Sequence, residues 1–391
     1  MSKIALLVGS SFSAAPLFFA LKRRGLEVWV CGNAKDDPCH QYADRSFYFD
    51  YSEAAELATF LKNEKIDYLV PSCNDYSYMS CAALAEQYGF PGFDRLDVAE
   101  VLHTKVSFRK FTEAHGIPAP RARQVRSVDE VAAFDLAQPL LFKPDDSFSG
   151  RGMAKTSADA NLSAVIAQAL KVSRSGQVLV EEFVDGSLHS HTAFIEDGEI
   201  AFDTFVDEFC TVYPFQVDCS NHPTALSDGI QEAVRAAIRR LVTALKLNDG
   251  LLHTQFISSG TDVWLIECMR RCPGDLYGGL VERSTGVPYH DLVVAKYLGE
   301  RYAVPPRSEA LKPYSRHTIS VTERVVAHAF SQNVPAKNVE VVQLKISGEV
   351  LEPAPYDKLA ILFAEHHSHD EMLDVAPRWA SHVTIRSLER P

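Results

Sequence analysis

The sequence predicts a multidomain protein of mixed class, α/β at its N-terminus and α+β beyond it, and three observations carry that expectation. The chain has 391 residues, more than one compact core organises, which points to two to three domains at roughly 100 to 200 residues each. Residues 1–100 alternate buried-strand and amphipathic-helix patterns, as a parallel sheet with helices on its faces requires. Further along, short apolar runs pair around tight turns, the pattern of antiparallel sheets.

In chain order, "KIALLVG" reads as a buried strand bounded by Gly9, "AAPLFFALKRRG" as a helix stopped by Gly25, and "LEVWVCG" as the next strand. "AAELATFLKNEK" with "IDYLVPS", and "YMSCAALAEQYG" with "FPGF", repeat the unit. The turn "GSSFSAAP" lacks the G-x-G-x-x-G of a dinucleotide site, so a plain tight turn is expected at Gly9, Ser10 and Ser11. A helix ending at Gly116, followed by a Pro-punctuated segment, marks a boundary near residue 102. "PLLFKP", "QVLVEEFV" and "HTAFIEDGEIAFDTFV" then read as strands, the last folded into a hairpin at "EDGE", with the helix "ADANLSAVIAQALKV" among them. The helix "IQEAVRAAIRRLVTALKL" leads to the paired strands "GLLHTQFISSG" and "DVWLIECM". From residue 305 onward, "HTISVTERVVAHAF", "VEVVQLKIS" and "LAILFAEHHS" are mostly strand.

Composition narrows the function classes. The chain is 46% hydrophobic and 23% charged, as a soluble globular protein is, and no run of about 18 apolar residues offers a membrane span. The N-terminal segment lacks the basic, apolar and small-residue succession of a secretory signal, so the cytoplasm is the expected location. A formal net charge of -12 opposes nucleic-acid binding. Eight cysteines without a C-x-x-C pair suggest reduced thiols rather than a zinc ribbon or a disulfide framework.

Three stretches are candidates for chemistry. Lys143 ends an apolar strand and precedes Pro144, so its stem runs along the core toward a cleft where its charge needs an anion. Ser147, Ser149, Gly150 and Gly152 follow, with free N–H groups and little bulk, as close approach to a phosphate requires. In "VLVEEFVDG", Glu181 and Glu182 point to opposite faces of an extended segment, one toward a cleft and the other toward solvent. In "LIECMRRCPGD", Glu267 ends a buried strand just before Arg270 and Arg271, and an unpaired charge there is costly. Glu267 therefore faces a cleft or pairs with an arginine. Asp207, Glu208 and Asp218 in "DTFVDEFCTVYPFQVD" line either an acceptor pocket or a surface lid. "EHHSHD", residues 365–370, reads as a solvated turn, because adjacent histidines on a strand diverge.

A helix with an early lysine, then "FKP" and a Ser/Gly loop, then "LVEEFVDG", then paired strands ending in "LIE-x-x-x-R-x-x-G", resembles the ATP-grasp ligase superfamily. The likeness is to its carboxylate-amine ligases, a group with L-amino acid ligases, D-alanine ligase and carbamoyl phosphate synthetase modules, and it covers about residues 1–300. It implies a Rossmann-like N-terminal domain at 1–102, a small ATP-clasping α+β subdomain with the glycine-rich loop at 103–185, a large one at 186–304, and a mostly β extension of the latter at 305–391. It also implies ATP with Mg²⁺, or Mn²⁺ in its place, and the activation of a small carboxylate as an acyl phosphate for attack by an amine.

Carried over by motif, Lys105 and Lys143 contact the ATP phosphates, and Ser147, Ser149, Gly150 and Gly152 close over them. Glu181, Glu182, Phe183 and Val184 meet the adenine. Glu267 binds metal, and Arg271 lies by the transferred phosphate, with Lys143 sharing the catalytic load. The family's aspartate before the first lysine is Thr104 here, its ribose acid is Leu188, its first metal glutamate is Gln255, and its motif asparagine is Met269. Gln255 still offers an amide oxygen, the Met269 thioether does not suit magnesium, and Asp275 is a candidate to restore the charge. Partners are then ATP and small carboxylate and amine substrates, with a homodimer as the default assembly. Two other readings share the fold: an ATP-binding homologue that regulates without ligating, and a carboxylate-thiol ligase or carboxylating enzyme.

Overall fold

The computed structural model describes residues 2–131, 139–145, 150–156, 161–173, 175–305 and 310–388. Four sheets organise them. The first is fully parallel, in the order β3-β2-β1-β4, from β1 (Ile4–Val8), β2 (Glu27–Cys31), β3 (Arg45–Phe47) and β4 (Tyr68–Pro71). The β1 sequence Ile-Ala-Leu-Leu-Val shows no alternation because helices cover both faces of the sheet, and a strand so placed buries every side chain. The third unit of this domain differs from expectation. "FPGF" forms no strand, since Pro91 lacks an N–H and Gly92 takes a φ of +85°, and the short β3 from "RSF" joins the sheet instead.

The second sheet is antiparallel, ordered β5-β8-β6-β7, from β5 (Ala122–Val125), β6 (Leu140–Pro144), β7 (Ala154–Thr156) and β8 (Val178–Glu182). Its register sets the first half of the site. Leu141 opposes Glu181 and Lys143 opposes Leu179, so Lys143 and Glu181 are diagonal neighbours on one face, a spacing that long side chains span.

The third sheet has eight antiparallel strands in the order β13-β12-β9-β10-β11-β14-β18-β16. They are β9 (Ser187–Glu196), β10 (Glu199–Phe209), β11 (Cys219–His222), β12 (Gly250–Ser259), β13 (Asp262–Met269), β14 (Tyr314–Ile319), β16 (Asn338–Gln343) and β18 (Ala360–Glu365). The β9–β10 turn carries Asp197 at φ +54° and Gly198 at φ +79°, as a two-residue hairpin needs. The helix Asp228–Leu245 lays Ile230, Val234, Ala237, Ile238, Leu241, Val242 and Leu245 on the sheet at three- and four-residue spacing. The fourth sheet, β17-β15-β19, joins β15 (Val325–Gln332), β17 (Val350–Leu351) and β19 (Val383–Leu388).

"HTISVTERVVAHAF" falls in two strands of different sheets, separated by residues 320–324. "EHHSHD" is solvated at His367, Ser368 and Asp370, which are exposed, but not throughout. Glu365 ends β18, His366 is buried against the Ser315 hydroxyl at 2.7 Å, and Ser368 caps the helix His369–Val375 by accepting from the Glu371 N–H.

One apolar core joins the first sheet to the third. Leu17, Phe18 and Val70 share it with Tyr289, Leu292 and Val293 of the helix Tyr289–Tyr297 and with Phe194 of β9. That shared packing fixes the strand ends of the N-terminal domain against the loop that follows β13. All eight cysteines are free thiols.

Candidate active site

The inner wall of the cleft is built on β6, β8 and the helix Lys105–Ala114. Lys143, Glu181 and Arg109 are respectively 4%, 1% and 5% exposed, so their charges must be satisfied by one another. The Lys143 ammonium donates to Glu181 Oε2 at 2.6 Å, and Arg109 Nε donates to Glu181 Oε1 at 2.8 Å. Burial would raise the Glu181 carboxyl, yet Arg109 and Lys143 outweigh it and hold it below the ordinary carboxylate range. Lys143 is moved down by burial and by Arg109, against the pull of Glu181. Two cations thus share the Glu181 carboxylate, and Glu267 adds its negative charge to the field at Lys143.

Lys105, one helical turn before Arg109, donates to the Asp145 carbonyl at 3.2 Å, and Asp145 accepts from the Val106 N–H. The glycine-rich loop returns as Gly150, Arg151 and Gly152; Ser147 and Ser149 lie outside the described residues. Gly150 sits at φ +71°, where a Cβ would stand 2.4 Å from the Phe215 carbonyl oxygen, and its own carbonyl accepts from Tyr213 Oη at 3.2 Å. Gly152, at φ +72°, presses on Pro144 and Val172. Both positions therefore exclude a side chain.

Glu181 and Glu182 do face opposite ways. Glu182 is partly exposed and bridged by Arg121 at 3.1 Å. Phe183 and Val184 form the connection from β8 to β9, where the Phe183 N–H donates to the Pro139 carbonyl and Lys155 lies 3.5 Å above the Phe183 ring.

On the opposite wall, Gln255 and Glu267 are directly paired across β12 and β13, beside a bulge at Gln255 and Phe256. Both are partly exposed, no ion pair reaches Glu267 among the described residues, and its charge acts on Lys143 and Arg271. Met269 is buried, opposite His253. Asp275 has both oxygens engaged, one by Arg316 at 3.0 Å and one by the Tyr277 N–H at 3.2 Å. Among the described residues, no group of three or more His, Cys, Asp or Glu side chains forms a metal cluster.

The two adjacent arginines separate. Arg270 is buried on Asp94, with Nε to Oδ2 at 2.6 Å, and on the Asn248 carbonyl. Arg271 forks onto Asp75, at the start of the helix Asp75–Tyr88, with two bonds of 3.0 Å. His103 accepts from the Arg270 N–H at Nε2, which leaves its Nδ1–H to donate to Asp75. Against the opposing effect of burial, Arg271 and His103 hold Asp75 well below the ordinary range.

A second polar group lies along the middle of the large sheet. Glu208, Ser220 and Arg316 are opposed in one row across β10, β11 and β14. Glu208 accepts from Ser190 at 2.7 Å and Ser220 at 2.5 Å, and Arg316 donates to Ser220 at 2.7 Å. Burial, opposed by Arg316 and reinforced by Asp275, pushes the Glu208 carboxyl up to about 7. Burial also lowers the Lys358 ammonium, which stands in the field of Asp275, Arg316 and Arg151.

Of the residues singled out from sequence, Lys143 and Glu181 touch, Gln255 and Glu267 pair, and Lys105 reaches the start of the glycine-rich loop. Arg109, Asp75, His103, Arg316 and Lys358 escaped the sequence reading. Arg109 alone left a signal: four residues after Lys105, it shares that lysine's helix face.

No protein-family profile matches the chain. It is 23% identical over 403 residues to a formate-dependent phosphoribosylglycinamide formyltransferase of Saccharolobus solfataricus, covering 98% of each. It is 27% identical over 221 residues to the carbamoyl phosphate synthase large chain of Xylella fastidiosa, covering 54% of this chain and 20% of that one. The chain thus spans less than a third of the length of the synthase large chains it matches first. The L-amino acid ligase of Bacillus licheniformis superposes with a TM-score of 0.81 at 17% identity, over 99% of both chains. By these comparisons the chain has the ATP-grasp fold and is similar to ligases that carry it.

Proposed function

We propose that this protein is an ATP-dependent carboxylate-amine ligase acting on a small carboxylate, an amino acid or a close analogue. The observation that carries the reading is the buried Lys143–Glu181–Arg109 group beside the partly exposed Gln255–Glu267 pair. Lys143 and Lys105 hold phosphates, and Glu181 to Val184 border the base. Ser147, Ser149, Gly150 and Gly152 close the loop over the phosphates, and Arg271 meets the transferred one. Glu267 and Gln255 present two hard oxygen donors on one face, which suit Mg²⁺ or Mn²⁺ completed by phosphate oxygens. Held by Glu267 and Gln255, such a cation would supply positive charge at the phosphoryl oxygens. Asp275, committed to Arg316 and the Tyr277 N–H, is the weaker candidate.

A carboxylate oxygen attacks the γ-phosphorus and ADP leaves. An amine nitrogen then attacks the acyl carbon, inorganic phosphate leaves, and the amide remains. Charge stabilisation on the phosphoryl oxygens does most of the catalysis, without a nucleophilic side chain. Arg316 and Lys358 beside Glu208 and Asp275 offer both signs of charge, as a zwitterionic substrate needs. Glu208, near neutrality in its pKa, is suited to take the amine's proton. A homodimer and a cytoplasmic setting accompany the reading; no described helix is long and apolar enough to cross a membrane.

The test is ADP and phosphate release with a panel of amino acids and small carboxylates, singly and paired with amines. ATP binding without ADP release under any combination sinks the ligase.

A further inference from the structure

One buried cation has no part in the reaction just outlined. Arg109 is pinned at two points: Nε donates to Glu181 at 2.8 Å and Nη2 donates to the Ile266 carbonyl at 2.5 Å. Its Nη1 is buried without an acceptor among the described residues. Ile266 immediately precedes Glu267 on β13, so one guanidinium ties the Lys105 helix to both β8 and β13.

Glu181 divides its two oxygens between Arg109 and Lys143. The two cations differ in freedom. A planar guanidinium fixed by two bonds stays, whereas an ammonium on a four-carbon stem swings. Lys143 spends one of its three N–H donors on Glu181, and carrying its ammonium out to a phosphate stretches or breaks that bond. If Glu181 had no other partner, that move would strand a buried carboxylate, and the penalty would fall on ligand binding.

We propose, on the reading that this cleft takes ATP, that Arg109 is a positioning residue: it keeps Glu181 ionised and in place so that Lys143 is free to pass to the nucleotide's phosphates. Lys143 then exchanges one anion for another, and Glu181 never loses its counter-charge.

The test is ADP affinity by titration calorimetry with Mg²⁺ present, for the full chain and for R109M, E181Q and the double variant R109M/E181Q. R109M leaves Glu181 dependent on Lys143, and ADP binding is expected to weaken by about ten- to a hundredfold. Removing the charge of Glu181 in the same chain releases Lys143, so R109M/E181Q is expected to bind ADP better than R109M. A purely structural arginine gives the reverse order, since a second core change cannot repair the first. Should R109M fail to fold, R109K and R109K/E181Q read the same sign. Wild-type affinity in R109M, or a double variant no better than its parent, overturns the proposal. Absence of ADP binding by the unmodified protein overturns the nucleotide reading itself, and this one with it.

Discussion

Glu208 gives a prediction whose size follows from its surroundings. Its carboxyl is buried in the large sheet, and its pKa stands at about 7 against an ordinary 4.5. Between those values the folded chain keeps a proton that the unfolded chain has lost. Linkage then makes stability fall as pH rises: the contribution is fully present below pH 4.5 and gone above about 7. A shift of this size corresponds to about 3 kcal/mol at 1.36 kcal/mol per unit. The substitution E208Q keeps the shape and the neutral state while removing the titration. Urea unfolding of both proteins at pH 5 and pH 8 isolates the effect, because the other titrating groups cancel in the difference. E208Q is expected to gain about 2 to 3 kcal/mol relative to the parent on going from pH 5 to pH 8, the rest of the shift having already been lost at pH 5. Should the difference between the two proteins be the same at both pH values, Glu208 is not held neutral, and its assignment to the amine's proton falls with it.

Three further outcomes are expected. Replacing Arg270 by methionine strands Asp94 in the core where it now accepts at 2.6 Å, at a cost of about 3 to 5 kcal/mol in urea unfolding; a loss under about 1 kcal/mol would contradict the burial of that pair. Gly150→Ala puts a Cβ 2.4 Å from the Phe215 carbonyl oxygen at a φ of +71°, so a strain of about a few kcal/mol is expected to lower the unfolding midpoint and, where the loop undocks to relieve it, ATP turnover about tenfold or more; unchanged stability and turnover would show that the loop need not dock there. Q255E sets a second carboxylate beside Glu267 on the neighbouring strand and is expected to lower the Mn²⁺ concentration needed for half-maximal nucleotide binding, and a raised requirement would place the metal elsewhere.

Much of the fold was legible because its signals are local. The unbroken apolar run of β1, the three- and four-residue spacing along Asp228–Leu245 and the "EDGE" turn each report their own backbone and burial. The same locality explains the misses. "FPGF" looked apolar enough for a strand, but Pro91 and Gly92 deny it a ladder, and "RSF" takes the place because β2 offers an open edge. "EHHSHD" looked solvated, and tertiary contact buried His366 against Ser315.

For the candidate site, local pattern singled out Lys143, Gly150, Gly152, Glu181 and Glu267, since a strand end or a glycine turn declares itself within a few residues, and the family resemblance added Lys105. What sequence could not decide is which charges meet. Arg109 and Glu181 lie 72 residues apart and Arg271 and Asp75 lie 196 apart. Their pairing is fixed by sheet register and by the core shared between the first and third sheets. An ion pair is worth little until burial removes water from both partners, and burial belongs to the whole fold rather than to any stretch of chain. Sequence therefore determined the kinds of groups available and the order of the elements that carry them. Tertiary structure decided that Lys143 shares its glutamate with Arg109, that Arg271 is held by the N-terminal domain, and that Glu208 is kept near neutrality beside Arg316.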